Sequence, residues 1–413
     1  MLGSFIFWIG SVVALLIGFL YFRDLGDVSQ MLIRVKRENM LRFIRNEYRL
    51  LAIGLVALAL STLVHFAFSA GPRGIWWSVF LLCVLLYGFP YVWVHIGLRN
   101  QKNSAKYYSI EEAAEYVSPS SPVIVIENRG VARAHPQAQL LRPHLAGNEE
   151  GLEGEDVVMT YCAMANLGIA YTPEVEGQKL DLDVLAQHGN NLVLRDNRTG
   201  EPLQQIYGFR EADSTPGEAG GACPLRPSLA MRAWPTFRMT FRGFKKAYPE
   251  GTVFINKPPS NPVLYLFDMV LEMLFAASID RQHREEKPVM DNMTHYDDRL
   301  PNKTYVWGVE IDGDAVCWTD DFVVEQNNVL NAVVGGQPLV VAWNPRYESL
   351  GIWYNDTGQP VTEIDFFGNT PETQLRRFEG MKPGLFWHVW VEFYPGTDIN
   401  RVGEAAKEES AQA

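Results

Sequence analysis

Most of the signatures that would name an activity are missing from this chain. Its four cysteines, Cys83, Cys162, Cys223 and Cys317, are widely separated and form no Cys-x-x-Cys pair. That excludes a disulfide framework and a zinc-ribbon spacing, and makes free thiols the expected state. No nucleotide-binding glycine loop follows a strand, and no Gly-x-Ser-x-Gly or His-Glu-x-x-His occurs, so no nucleotide cofactor is indicated. A positive charge excess is also lacking. The net charge of −12 argues against nucleic acid as a partner, because such binding needs a basic face.

Charge is also absent from three long runs near the start. Leu2–Phe22, Leu50–Ser69 and Ile75–Leu98 carry no Asp, Glu, Lys or Arg, and each is long enough to cross about 30 Å of hydrocarbon as a helix. They define a membrane domain over residues 1–98, with the bilayer as its first partner. The first run lacks a basic leading region and a small-residue cleavage site, so it reads as an anchor, not a signal peptide. Arg23, Arg34, Lys36, Arg37, Arg42 and Arg45 follow the first run, and Arg99, Lys102 and Lys106 follow the third. The positive-inside rule then places the N-terminus outside and everything after residue 98 in the cytoplasm. Residues 28–48 read as a basic amphipathic helix, lying either on anionic headgroups or over the soluble domain. His65 falls about a turn from the outer end of its run and reads as an interfacial residue.

What is present beyond residue 98 is an internal echo. Val123–Glu127 leads through Asn128-Arg129-Gly130 into Val131, and Val306–Glu310 leads through Ile311-Asp312-Gly313 into Asp314. Gly130 and Gly313 are 183 positions apart, as are Asn148 and Asn331, and Leu167-Gly168-Ile169 and Leu350-Gly351-Ile352. Phe244–Pro249 echoes Trp390–Pro395 at a shorter offset. Such spacing predicts a duplicated unit.

Short β-branched runs bounded by turn residues predict strands at 123–127, 131–134, 156–161 and 168–172, and again at 305–311, 314–318, 338–343 and 350–354. The Asp196–Gly200 turn predicts a hairpin, and residues 238–249 a helix. Without βαβ alternation this is an α+β fold, strand-rich and internally duplicated. The expected partition is 99–261 for the first copy, 262–296 for a linker with an apolar helix, 297–403 for the second copy, and 404–413 for a disordered tail. Asp268 and Glu272 lie four apart within Pro262–Ile279, which argues for a helix packed on the core before one dipping into the bilayer surface, and against a fourth span.

Three residues carry whatever chemistry the first copy could hold. Cys162 ends a predicted strand, and His144 or His135 could act as its base, since a thiolate nucleophile needs one. The competing reading is a buried small hydrophobe. The same three side chains, with His188 or Cys223, are the candidates for a metal, although their spacing in sequence does not favour one. In the second copy Trp318 and Asn344 stand where His135 and Cys162 would fall. Asp297-Asp298-Arg299 reads as a tie between linker and core.

At Thr160-Tyr161-Cys162 and Asp297–Thr304 the chain resembles a bacterial and archaeal family, domain of unknown function 3179, over roughly residues 108–400. The likeness includes Ala134-His135-Pro136, His144, Gly189–Asp196 and Arg198-Thr199-Gly200. The family commonly shows Tyr-Cys-Pro-Leu-Cys-Gly, whereas Cys162 here is followed by Ala163-Met164-Ala165-Asn166, which removes a paired-thiol role. The family has no established activity, so the resemblance implies fold and membership. The expectation is a multi-pass membrane-anchored binding or interaction module, an accessory subunit to membrane-protein partners. The alternative is an enzyme using Cys162 with a nearby histidine in thiol or metal-assisted chemistry.

Overall fold

The computed structural model describes residues 1–98, 100–290 and 292–403. Arg99, counted above among the inner cations, and the tail at 404–413, expected to be disordered, lie outside the described residues.

Three helices open the chain: α1 (Leu2–Leu25), α2 (Arg37–Phe68) and α3 (Arg73–Tyr91). Small residues let them approach. Ser11 and Ser61 share a 2.8 Å hydroxyl hydrogen bond, and Tyr87 Oη donates to the Ala14 carbonyl at 2.7 Å, as expected where apolar side chains alone give helices no preference for one another over lipid. Their outer faces expose Phe5, Val12, Leu55, Leu63, Leu81 and Val84. Pro90 lies inside α3, and the helix passes into a π turn at Val92–Gly97, consistent with the amide hydrogen that proline lacks. His65 closes the far end, its Nδ1 2.8 Å from the Ala70 carbonyl and its ring stacked on Trp76.

The single helix expected over 28–48 is not formed. A 3-10 turn covers Asp27–Met31, and α2 begins only at Arg37. Its cations settle on the strand-rich region: Arg37 Nη1 donates to Gln204 at 2.9 Å, Arg37 also pairs with Glu211, and Arg45 pairs with Glu201 at 3.0 Å. The segment thus covers that region, but as a turn followed by the start of α2.

Two of the sheets in the strand-rich region share one plan. In the first, β1 (Pro122–Asn128) pairs with β2 (Val131–Pro136). Further along the chain come β3 (Leu145–Gly147), β4 (Val158–Cys162), β5 (Leu167–Tyr171), β6 (Leu182–His188), β7 (Asn191–Asp196), β8 (Pro202–Gln204), β9 (Thr236–Thr240), the short helix α4 (Phe241–Ala247) and β10 (Thr252–Phe254). The sheet order is β9-β1-β2-β10, with a two-residue strand at Tyr107–Tyr108 beyond β10. After the long helix α5 (Pro262–Arg284) the plan recurs. It comprises β11 (Tyr305–Ile311), β12 (Asp314–Trp318), β13 (Val329–Val334), β14 (Gln337–Asn344), β15 (Ser349–Tyr354), β16 (Lys382–Phe386), α6 (Trp387–Phe393) and β17 (Asp398–Ile399), with sheet order β16-β11-β12-β17. In both sheets the last strand runs parallel to its neighbour and the other pairs are antiparallel. The three-stranded sheets β3-β4-β5 and β13-β14-β15 also match.

The turns repeat as well. Gly130 N–H donates to Glu127 at 3.0 Å and Gly313 N–H to Glu310 at 2.8 Å. Arg129-Gly130 and Asp312-Gly313 all hold positive φ, the geometry that suits a right-twisted hairpin and favours glycine.

The two sheets do not form separate bodies. Val123, Val125 and Phe237 share one core with Trp307, Val309, Val341 and Leu350, while Ile124 and Ile126 point the other way into a core with Trp387, Trp390, Tyr21 and Trp93. The β4–β5 turn reaches β16, where Phe386 N–H donates to the Ala165 carbonyl at 3.1 Å and Asn166 Nδ2 to the Gly384 carbonyl at 2.6 Å. Reciprocally, Glu348 on the β14–β15 turn pairs with Arg242 on α4.

Candidate functional site

The geometry centres on a cavity where the helices meet the sheets. As α1 ends, Gly26 is followed by Asp27 in the left-handed region, φ 36°, which turns its carboxyl inward. Asp27 Oδ2 accepts a hydrogen bond from Trp93 Nε1 at 3.2 Å, and Oδ1 has no partner. Burial pushes this carboxyl up to about 7, because lost hydration disfavours the charged form. Trp93 stands in the π turn below α3 and stacks on Phe275 of α5, centroids 4.4 Å apart.

The strand-rich region supplies the opposite wall. Cys162 ends β4 with no exposed surface, and its Sγ donates to the Asn190 carbonyl at 3.4 Å. Burial pushes the thiol up to about 12, so it stays protonated at neutral pH and is no ready nucleophile. His144, ahead of β3, is pulled down to about 4, chiefly by burial, and its Nδ1 has no partner. Gln187 on β6 leaves Oε1 unpartnered. Val184, Ala186 and Leu192 fill the gaps between these polar groups, and Phe275, Ser278 and Ile279 of α5 close the space, about 50 Å³.

The structure thus brings Cys162 and His144 to one cavity and leaves His135 elsewhere. His135 lies on β2 between Tyr107 and Phe254, its Nε2 3.2 Å from Tyr107 Oη. Burial, helped by the Arg133 charge, pulls it down to about 3. His188 faces Arg37 in a separate surface cleft, and Cys223 sits half-buried on a small hairpin. Among the described residues no three His, Cys, Asp or Glu side chains gather as a metal would require. By strand register Cys162, opposite Leu167, corresponds to Trp343, opposite Leu350, one residue from the Asn344 expected. Asp297 and Arg299 pair at 2.7 Å, and the Asp297 carbonyl accepts from Trp387 Nε1 at 3.0 Å, tying the linker to α6.

Sequence reasoning missed Asp27, Gln187 and two buried arginines. Arg195 Nη1 donates to Glu47 Oε2 at 2.5 Å and Nη2 to Tyr48 Oη at 2.9 Å, while Glu47 Oε1 also meets His95 Nε2 at 2.9 Å. Arg142 donates from Nε to the Gly97 carbonyl at 2.5 Å and pairs from Nη1 with Asp268 at 3.0 Å. The signal available was an isolated Glu47 among basic residues and an Arg195 inside a strand, where a charge needs a partner.

What these groups can do is hold a small, mostly apolar molecule by one or two hydrogen bonds. A half-protonated carboxyl, a neutral imidazole and an amide oxygen present both donors and acceptors, in a space lined by aliphatic and aromatic carbon.

Residues 101–397 match the family model described as a protein of unknown function, DUF3179. No curated protein and no solved structure matches.

Proposed function

Given that the chain belongs to the DUF3179 family, whose description assigns no activity, we propose that it is a membrane-anchored binding module. Its ligand site is the junction cavity, and its ligand is a small neutral molecule, largely apolar, with one hydrogen-bonding group. The observation that carries this reading is the trio of unpartnered buried polar atoms, Asp27 Oδ1, His144 Nδ1 and Gln187 Oε1, on elements that wall one apolar cavity. A buried polar atom without a partner costs about 1–3 kcal/mol, which a fitting ligand would relieve. The raised thiol of Cys162 favours binding over thiol chemistry.

In this reading α1–α3 span the bilayer, supported by their apolar length, with the strand-rich region on the cytoplasmic side under the positive-inside rule. The matched sheet plans support descent of the strand-rich region from one duplicated unit. Membrane-protein partners would meet the module at its lipid-facing helices.

The test is thermal unfolding of the full chain in nanodiscs against a panel of small phenols and aliphatic alcohols. Stabilisation that rises with ligand concentration and disappears in Ala186→Phe, which fills the cavity, is the expected result. No stabilisation by any member, or stabilisation that survives Ala186→Phe, overturns the proposal.

A further inference from the structure

Helix α5 exposes an unusual surface. Of its 23 residues only Leu271, Phe275, Ile279 and Gln282 are buried, whereas Val263, Leu264, Tyr265, Leu266, Met269 and Met273 are each about half exposed or more. The expectation of a helix packed on the core therefore holds for one stripe alone. The helix is also long and apolar enough to cross a membrane.

Its ends forbid that path. Just before α5, Asn256 Nδ2 donates to the Arg142 carbonyl, and Asn256 Oδ1 accepts from Gln101 at 2.8 Å. At the other end Gln282 Nε2 donates to the Met164 carbonyl at 2.9 Å, and His283 Nε2 lies 2.7 Å from the Ala163 carbonyl. Both ends are fastened to the strand-rich domain, so a helix of about 35 Å has to run along one side of a bilayer.

Its middle is placed at the membrane boundary. Phe275 stacks on Trp93, and Leu271 and Phe275 lie about 3.9 Å from the space a side chain at Gly97 would take; both partners belong to the last turn of the third apolar helix. The acids that would oppose lipid contact are drawn to one cation: Asp268 pairs with the buried Arg142 at 3.0 Å and is mostly covered, and Glu272, still partly exposed, lies 3.8 Å from it. The charged residues Asp280, Arg281 and Arg284 cluster at the C-terminal end, exposed.

We infer that α5 lies in the plane of the bilayer, its exposed apolar arc inserted at the boundary of headgroups and acyl chains on the side of the strand-rich domain. The occupant of this face is lipid, because the buried stripe of α5 packs on Trp93 and Gly97 where the third apolar helix ends, which holds the exposed apolar arc at the level where that helix would leave the bilayer. Interfacial helices of this kind bury one apolar face several ångströms deep and keep charge at the rim. The inference rests on the reading of α1–α3 as membrane spans. It adds that α5 is the wall between lipid and the junction cavity, since Phe275, Ser278 and Ile279 line the latter.

Four variants with one added cysteine test it, each made on Cys223→Ser so that the remaining native thiols are buried, and each labelled with bimane in the full chain in mixed phosphatidylcholine and phosphatidylglycerol vesicles. Leu266→Cys and Met273→Cys report on α5, Leu81→Cys on the outer face of α3, and Glu115→Cys on the soluble surface. Lipids carrying a nitroxide near the headgroup or near the chain end serve as quenchers. At 266 and 273 the shallow nitroxide is expected to quench several-fold more than the deep one, with the reverse at 81 and no quenching at 115. Lipid quenching absent at 266 and 273 but present at 81 overturns the inference while leaving the membrane reading intact; protection from aqueous iodide in that case marks a covering protein. Deep quenching at 266 also overturns it. Absence of quenching at 81 defeats the membrane reading itself.

Discussion

Glu47 of α2 and Arg195 of β7 meet at 2.5 Å with both side chains withdrawn from water, although 148 residues separate them. With Tyr48 and His95 on the same pair, this contact fixes the helical region to the strand-rich one. Removing one member of such a pair leaves a buried charge without compensation, at a cost of about 3–5 kcal/mol. Glu47→Leu and Arg195→Leu are each expected to destabilise strongly, and the two combined to recover most of the loss. Thermal unfolding of the four proteins in one detergent gives the cycle. Additive losses would show that the two groups do not act as a pair.

Acid is expected to destabilise the protein through its buried histidines. His144 falls to about 4 and His135 to about 3, against about 6.5 for an exposed imidazole. The unfolded chain then binds protons that the folded chain refuses, so stability is full above pH ~6.5 and is lost as pH falls towards the folded values, by about 3 kcal/mol for His144. His144→Asn should flatten the loss of melting temperature between pH 6.5 and 4.

Asp27 acts in the opposite direction. Its folded carboxyl is raised to about 7, so the folded form keeps a proton that the unfolded chain releases above about pH 4. Stability from this residue declines as pH rises from about 4 to about 7 and is level beyond, a difference of about 4 kcal/mol at most. Asp27→Asn is therefore expected to raise the melting temperature at pH 8 and leave it unchanged near pH 4. An equal shift at both values would show that Asp27 does not titrate in the folded protein.

Thiol reagents separate the four cysteines. Cys83, Cys162 and Cys317 are buried and Cys223 is half exposed. Maleimide at neutral pH should modify Cys223 first, and Cys162 only under denaturing conditions. Peptide mass mapping after brief labelling reads the order. Rapid modification of Cys162 would contradict its burial at the cavity.

The interleaving of the two units is tested at Gly243 on α4. A methyl group there would meet the Tyr347 carbonyl of the β14–β15 turn. Backbone cannot move aside as a side chain can, so Gly243→Ala is expected to cost about 1–3 kcal/mol despite the better helix propensity of alanine. Gly130→Ala, with open space around its Cβ, loses only the ease of positive φ, about 1 kcal/mol. Denaturant titration of the two variants distinguishes these effects.

Several elements were legible in the sequence because their causes are local. A run without charge makes an apolar helix wherever it lies: α1 starts at Leu2 as expected, while α2 starts at Arg37, 13 residues ahead of Leu50, and α3 gives way to the π turn at Val92. Alternating β-branched segments closed by Arg129-Gly130 and Asp312-Gly313 fix hairpin register through backbone geometry alone, so β1, β2, β11 and β12 were readable. The basic segment at 28–48 was not: its amphipathic pattern suits a continuous helix, but Ser29 Oγ donates back to the Phe22 and Arg23 carbonyls and Trp93 holds Asp27, which forms a turn at 27–31.

The cavity shows the same division. Cys162 and His144 drew notice by residue type, and only the fold decided that they share a cavity from which His135 is excluded. Asp27 was hidden because a single acid after an apolar run looks like ordinary loop, and its raised pKa follows from burial, against the lowering effect of the Trp93 hydrogen bond. The sequence by itself determined the apolar spans, the strand-rich class and the repeated hairpins, since short-range sterics and hydrophobic patterning settle them. The tertiary structure decided which polar atoms lost water, which charges met across 148 positions, and which face of α5 stayed bare, because desolvation and pairing depend on neighbours distant along the chain.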